Sequence, residues 1–192
     1  MNQARLLISL LGLLCFAPLA QAHPGHLNDG GGIMAGIFHP LTGVDHVLFM
    51  LGVGLLIALR APALGARTVA LMLAAQALAV VAMLLPVAPQ IWEIAIGISL
   101  IAIGLLLWRP RVSTFTLVTA LLGAGLHAAA HWVEMPADAP VVAYGLGVTA
   151  ASALLYGLGY LAGRALRPQA ERVARAFGIS LAGGGVWMLL FG

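Results

Sequence analysis

The sequence has no lysine, a single cysteine and hardly any charge. Only 8% of its 192 residues are charged, whereas 62% are hydrophobic. A soluble domain needs about a quarter of its residues charged to cover its surface. A water-exposed globule is therefore excluded, and a mean hydropathy of +1.05 makes lipid the main solvent. The one cysteine, Cys15, lies in a segment that reads as a secretory signal, residues 1–22. Arg5 supplies its positive region, "LLISLLGLLCFAPL" its apolar region and "AQA" its cleavage site. An uncleaved first membrane helix is the competing reading, and Leu13 and Leu14 disfavour a lipoprotein signal. A mature chain starting at His23 has no cysteine, hence no disulfide, thiolate metal site or cysteine nucleophile. There is no GxxxxGK[ST] stretch either, so this chain has no phosphate loop with which to use ATP.

What is there is apolar and long. Six runs are long enough, at about 1.5 Å rise per residue, to cross or nearly cross a core of about 30 Å. They are Gly36–Leu59, Ala66–Leu85, Gln90–Trp108, Val112–Val133, Val141–Gly163 and Val173–Phe191. The fold expected is an all-α polytopic membrane bundle over residues 23–192, with six transmembrane helices after a cleaved signal peptide. The connections hold breakers: Pro62, Pro86 with Pro89, Pro110, Pro136 with Pro140, and Pro168. All nine basic residues are arginines, and past the signal they flank alternate loops only. Arg60 and Arg67 flank the first, Arg109 and Arg111 the third, and Arg164, Arg167, Arg172 and Arg175 the fifth. The positive-inside rule makes that face cytoplasmic and both termini periplasmic, in a bacterial inner membrane. This pattern also explains the basic pI of about 9.8 without nucleic acid. Trp92, Trp108, Trp132 and Trp187 fall near span ends, as interfacial anchors do. Small residues recur along the fifth run, from Gly145 through Gly147, Ser152, Gly157 and Gly159 to Gly163, which favours close helix packing.

Against this background the polar residues stand out. None of the six histidines (His23, His26, His39, His46, His127, His131) lies in an arginine-bearing loop. Of the acidic residues, Asp29, Asp45, Glu93, Glu134 and Asp138 share their side, and only Glu171 belongs to the arginine side. An Asp deep in a membrane helix costs roughly 2.5–3.5 kcal/mol on insertion scales, so Asp45 needs a compensating partner. On a continuous helix His39 and His46 lie about 20° apart, with Met50 on the same stripe and Asp45 one position round. Pro40 suits a first helical turn and would place His39 near a helix N-terminus. The fourth run carries "HAAAHWVE", whose His127, His131 and Glu134 share one helical face. Glu93, at the start of the third run, can join from above.

A lone histidine in a bundle is most often a hydrogen-bonded packing residue. Four imidazoles and up to three carboxylates at one depth favour a site for a divalent metal, and this donor set suits nickel, cobalt, zinc or iron. "HPGH", His23 to His26, offers a further capture site ahead of the bundle.

At these residues the chain resembles the HupE/UreJ family. "HPLTGVDHVLFM" is similar to its H-P-x-x-G-x-D-H-x-x-x-M signature, and the likeness extends to the HPGH start, to Glu93 in "EIAIGISLIAIG" and to the histidine-rich fourth run. The resemblance implies a nickel or cobalt permease serving hydrogenase or urease maturation. It implies metal roles for His39, Asp45, His46, His127, His131 and Glu134, with Glu93, Met50, His23 and His26 as secondary candidates. Where the family shows glycines in the fourth span, this chain has Ala128 and Trp132.

The function expected is a secondary permease importing nickel or cobalt, with zinc a third candidate. The metal is cargo; no prosthetic group and no catalytic residue is expected. Lipid is one partner and a second copy of the chain, as a homo-oligomer, another candidate. The two halves of three spans would have opposite orientation, which allows a 3+3 inverted arrangement. The main alternative is an intramembrane zinc-dependent hydrolase, with zinc on histidines activating water. A bis-histidine haem protein and a metal sensor are more distant readings.

Overall fold

The structure is a computed structural model and describes residues 31–62, 65–84, 87–109 and 113–191. The expected signal peptide, with His23, His26 and Asp29, lies outside the described residues. Among those residues every regular element is helical and there is no strand. In chain order they are α1 (Gly31–Thr42), α2 (Val44–Arg60), α3 (Gly65–Leu78), α4 (Pro89–Leu107), α5 (Thr114–Val133), α6 (Val141–Ala165) and α7 (Ala170–Phe191). A 3-10 stretch, Ala79–Leu84, continues α3, and a 3-10 turn, Arg167–Gln169, separates α6 from α7.

By length and composition four helices can cross a membrane: α4, α5, α6 and α7. A fifth crossing results if α1 and α2, bent by 77° at their junction, act as one. Large apolar side chains such as Leu84, Phe115, Val142 and Leu190 are turned outward, as a lipid solvent allows. This is a membrane protein.

Two of the expected runs take a different form. The run 36–59 is divided at Gly43, which has an extended conformation (φ −76°, ψ 108°) between two helices. The His39–Pro40 pair therefore sits in the last turn of α1, not in a first turn. Pro40 has no N–H to return to the preceding turn, and near the helix end the Thr42 hydroxyl lies 2.9 Å from the Phe38 carbonyl and 3.2 Å from the His39 carbonyl, sharing its one proton between them. The run 66–85 is α-helical only to Leu78 and then tightens to 3-10 geometry.

The centre of the bundle is α2. Every residue from Gly52 to Ala58 is buried, as are Leu48, Phe49 and Met50. A helix apolar on all sides belongs in the middle of a bundle. Ile96, Leu100, Ile103 and Leu107 of α4 and Phe177 and Leu181 of α7 pack around it.

Close backbone approaches hold the neighbours in place. A Cβ at Gly54 would fall on the Tyr156 carbonyl, and one at Gly159 on the Leu51 carbonyl, so α2 and α6 meet at contact distance. Gly36 and Gly147 do the same for α1 and α6, and Gly104 and Gly178 for α4 and α7. Of the small residues along α6, Gly157 faces open space. α5 starts at a reciprocal cap, in which Ser113 Oγ accepts from the Thr116 amide and Thr116 Oγ1 accepts from the Ser113 amide, both 3.3 Å.

Candidate metal centre

Three helices bring the histidines together. His39 comes from the end of α1, His46 from the first turn of α2, and His127 and His131 from successive turns of α5. On a straight helix seven residues span about 10.5 Å, which would hold His39 and His46 apart. The bend at Gly43 folds α1 back, and the two rings lie 5.6 Å apart between centroids, edge to face. His46 lies 4.3 Å from His131 and 5.4 Å from His127, and His39 lies 5.1 Å from His131. His46 is therefore the hub.

The donor atoms form two overlapping groups. One nitrogen each from His39, His46 and His131 lie within 4.8 Å of one another, as do one atom each from Asp45, His46 and His127. Four donors about 2.1 Å from a tetrahedral ion are about 3.4 Å apart. Small side-chain motions would close either group on a cation.

The orienting contacts are specific. His46 Nδ1 lies 2.5 Å from Asp45 Oδ2. A carboxylate accepts, so Nδ1 carries the proton and Nε2 is left bare. Gly43 makes room for this pair, because a Cβ there would lie 3.1 Å from His46 Nδ1 and 3.2 Å from Asp45 Oδ1. His39 Nε2 lies 3.4 Å from Glu134 Oε2. Glu134 caps the end of α5. Its side chain is 46% exposed; its partial burial pushes the carboxyl above the usual carboxylate range, with Asp45 and Glu93 acting in the same direction and His46 opposing them.

Phe49 stacks on His127 with centroids 3.8 Å apart and planes 14° apart. The Tyr144 hydroxyl donates to the His131 carbonyl (3.0 Å) and fixes the last turn of α5.

What remains is a set of ring nitrogens short of partners. Among the described residues, His46 Nε2, His127 Nε2 and both ring nitrogens of His131 are buried without a hydrogen-bond partner, and His39 Nε2 has only the long approach of Glu134. Leaving one such group unsatisfied costs about 1–3 kcal/mol. Neutral imidazoles arranged this way can bind a divalent cation through their lone pairs.

The other expected site residues fall around this cluster or away from it. Glu93 is exposed on the first turns of α4, near enough for its charge to act on Glu134. Met50 is buried in the main apolar core. Trp132, at one of the departures from the family pattern, turns away from the rings. Its Nε1 donates to the Gln76 carbonyl (3.1 Å), and its six-membered ring occupies the space left by Gly145. Ala128, at the other, is buried.

Sequence reasoning passed over Phe49, Tyr144 and Ser99. Ser99 Oγ lies 3.0 Å from His127 Nδ1. Its signal was visible, since it is the only side chain able to hydrogen-bond between Ile94 and Leu107.

No curated protein and no solved structure matches the chain. A family model described as HupE / UreJ protein matches residues 11–188, nearly the whole length. That family is one of metal transport and its accessory proteins, and the match gives no support to the zinc-hydrolase alternative.

Proposed function

The chain belongs to the HupE/UreJ family, and on that footing we propose that it is a secondary permease for a divalent transition metal, nickel or cobalt. The ion enters from the periplasm and is bound by His39, His46, His127 and His131. Asp45 and Glu134 supply the balancing charge, and Glu93 lies on the approach. The single observation carrying this reading is the convergence of buried, partnerless imidazole nitrogens from α1, α2 and α5. A packing role would have satisfied them with carbonyls or hydroxyls.

The helix break supports the same reading. The C-terminal end of α1 and the N-terminal end of α2 meet at Gly43, and discontinuous helices are where secondary transporters commonly place ion sites. Asp45 lies in the first turn of α2, where the helix dipole favours a negative charge. Protonation of imidazole competes with metal and so provides a means of release.

The topology proposed has six crossings. The bent pair α1–α2 is the first, and α3 with its 3-10 extension is the second. The arginines lie on the cytoplasmic face of the inner membrane, after removal of the signal peptide. Ion flux into proteoliposomes tests the proposal, with nickel, cobalt and zinc in competition. Nickel entry that cobalt inhibits supports it, and no flux of any of the three metals would overturn it.

A further inference from the structure

The Ser99 hydroxyl has one proton, and the geometry says where it goes. Ser99 Oγ lies 2.7 Å from the Ile96 carbonyl oxygen. Two oxygens that close need a hydrogen between them, and a carbonyl has none to give, so Ser99 donates to Ile96. Toward His127 Nδ1, 3.0 Å away, the same oxygen can then only accept. His127 must carry its proton on Nδ1, and its other nitrogen, Nε2, is left as a bare lone pair. That Nε2 is buried and has no partner among the described residues.

We propose that Ser99 is a positioning residue that holds His127 in the Nδ1–H tautomer, with Nε2 presented to the histidine cluster. Both residues are buried, so water does not compete for either atom. Phe49, stacked on the face of the His127 ring at 3.8 Å, keeps the imidazole from turning over. His46 is held in the same tautomer by Asp45. One imidazole of the hub is thus fixed by a carboxylate and its neighbour by a hydroxyl. The difference matters chemically, because a carboxylate makes the imidazole a stronger donor and adds negative charge. The hydroxyl orients His127 without adding charge, which leaves it the more weakly binding of the two. The tautomer stands on geometry alone; its consequence for metal binding rests on the permease reading above.

The test is long-range proton–nitrogen NMR correlation on the metal-free full chain in detergent micelles, with histidine nitrogens labelled. Wild-type His127 is expected as the Nδ1–H form. Ser99→Ala removes the hydroxyl acceptor, leaving only the Gly123 carbonyl of the preceding turn beside the ring, and should shift His127 toward Nε2–H. Ser99→Thr, which keeps a hydroxyl, should restore Nδ1–H. Cobalt titration of the same three proteins should show an affinity about 10- to 100-fold weaker for Ser99→Ala and close to wild type for Ser99→Thr. An Nε2–H tautomer in the wild type, or an unchanged tautomer in Ser99→Ala, would overturn the inference. A wild type with the expected tautomer that binds no cobalt, nickel or zinc would instead overturn the permease reading and leave the role of Ser99 in orienting His127 standing.

Discussion

At the scale of single residues, a histidine can serve as a ligand when a ring nitrogen is left free, and it is oriented for the task when the other nitrogen is held. His46 is held by Asp45, and both nitrogens of His131 are without a partner among the described residues. Replacing either His46 or His131 with Ala should reduce uptake at low external metal to background, read as radiometal uptake with protein levels checked by immunoblot. Asp45→Asn removes the charge that balances a divalent cation and should weaken affinity by about 10- to 100-fold. Normal uptake by well-expressed His46→Ala and His131→Ala proteins would return these histidines to a packing role. The four histidines, Asp45 and Glu134 were legible in the sequence because ionisable groups are rare in apolar runs. Ser99 was visible as the one polar side chain between Ile94 and Leu107 but not as a partner of His127, because a serine in a membrane helix usually bonds only to its own backbone. Its second contact, with His127 on another helix, exists only once α4 and α5 are packed.

At the scale of elements, the fold of α1 back from α2 is what joins His39 to the cluster. Composition did not announce it. Gly43 has an ordinary negative φ, so its glycine is needed for space beside the Asp45–His46 pair and not for backbone conformation. Read as one continuous helix, the run 36–59 put His39 and His46 on one stripe but a turn and more apart. Gly43→Ala should displace the pair by a few tenths of an ångström and weaken metal affinity while leaving the folded bundle intact. Affinity by titration together with an unchanged circular dichroism spectrum would show this; wild-type affinity would mean the pair tolerates the methyl group.

The fit of Trp132 into Gly145 makes a second prediction. Gly145→Ala forces Trp132 to move and should destabilise by about 1–3 kcal/mol, whereas Gly157→Ala, which meets nothing within 4 Å, should be neutral or slightly stabilising. Thermal unfolding of both variants in the same detergent separates them. The expected small-residue packing of α6 was legible as a pattern, but which glycine takes a backbone, which a tryptophan and which nothing depends on the neighbours.

At the scale of the whole molecule, the two ends of the bundle carry different chemistry. The histidines lie at the start of α2, and Arg60 lies at its other end, about 21 Å away at 1.5 Å per residue. There Arg60 donates to Glu171 of α7 (2.7 and 3.3 Å) and to the Leu107 carbonyl of α4 (2.9 Å), which draws three helices together. Arg60 and Glu171 were expected on one face from the charge pattern alone, and their contact is the pairing that pattern allows. Cysteines at Gln169 and Ala137, one in each face's loops, should label differently in intact cells with a permeabilised outer membrane. An impermeant thiol reagent should reach Ala137→Cys and not Gln169→Cys; the reverse would overturn the proposed orientation.

The central claim is that a transported ion is held by imidazoles from α1, α2 and α5 together. X-ray absorption at the metal edge of the nickel-loaded protein tests it most directly. Outer-shell scattering from several imidazoles is predicted in the wild type, with fewer in His131→Ala at matched loading. A wild-type spectrum with oxygen donors only, or one unchanged by His131→Ala, would contradict the account.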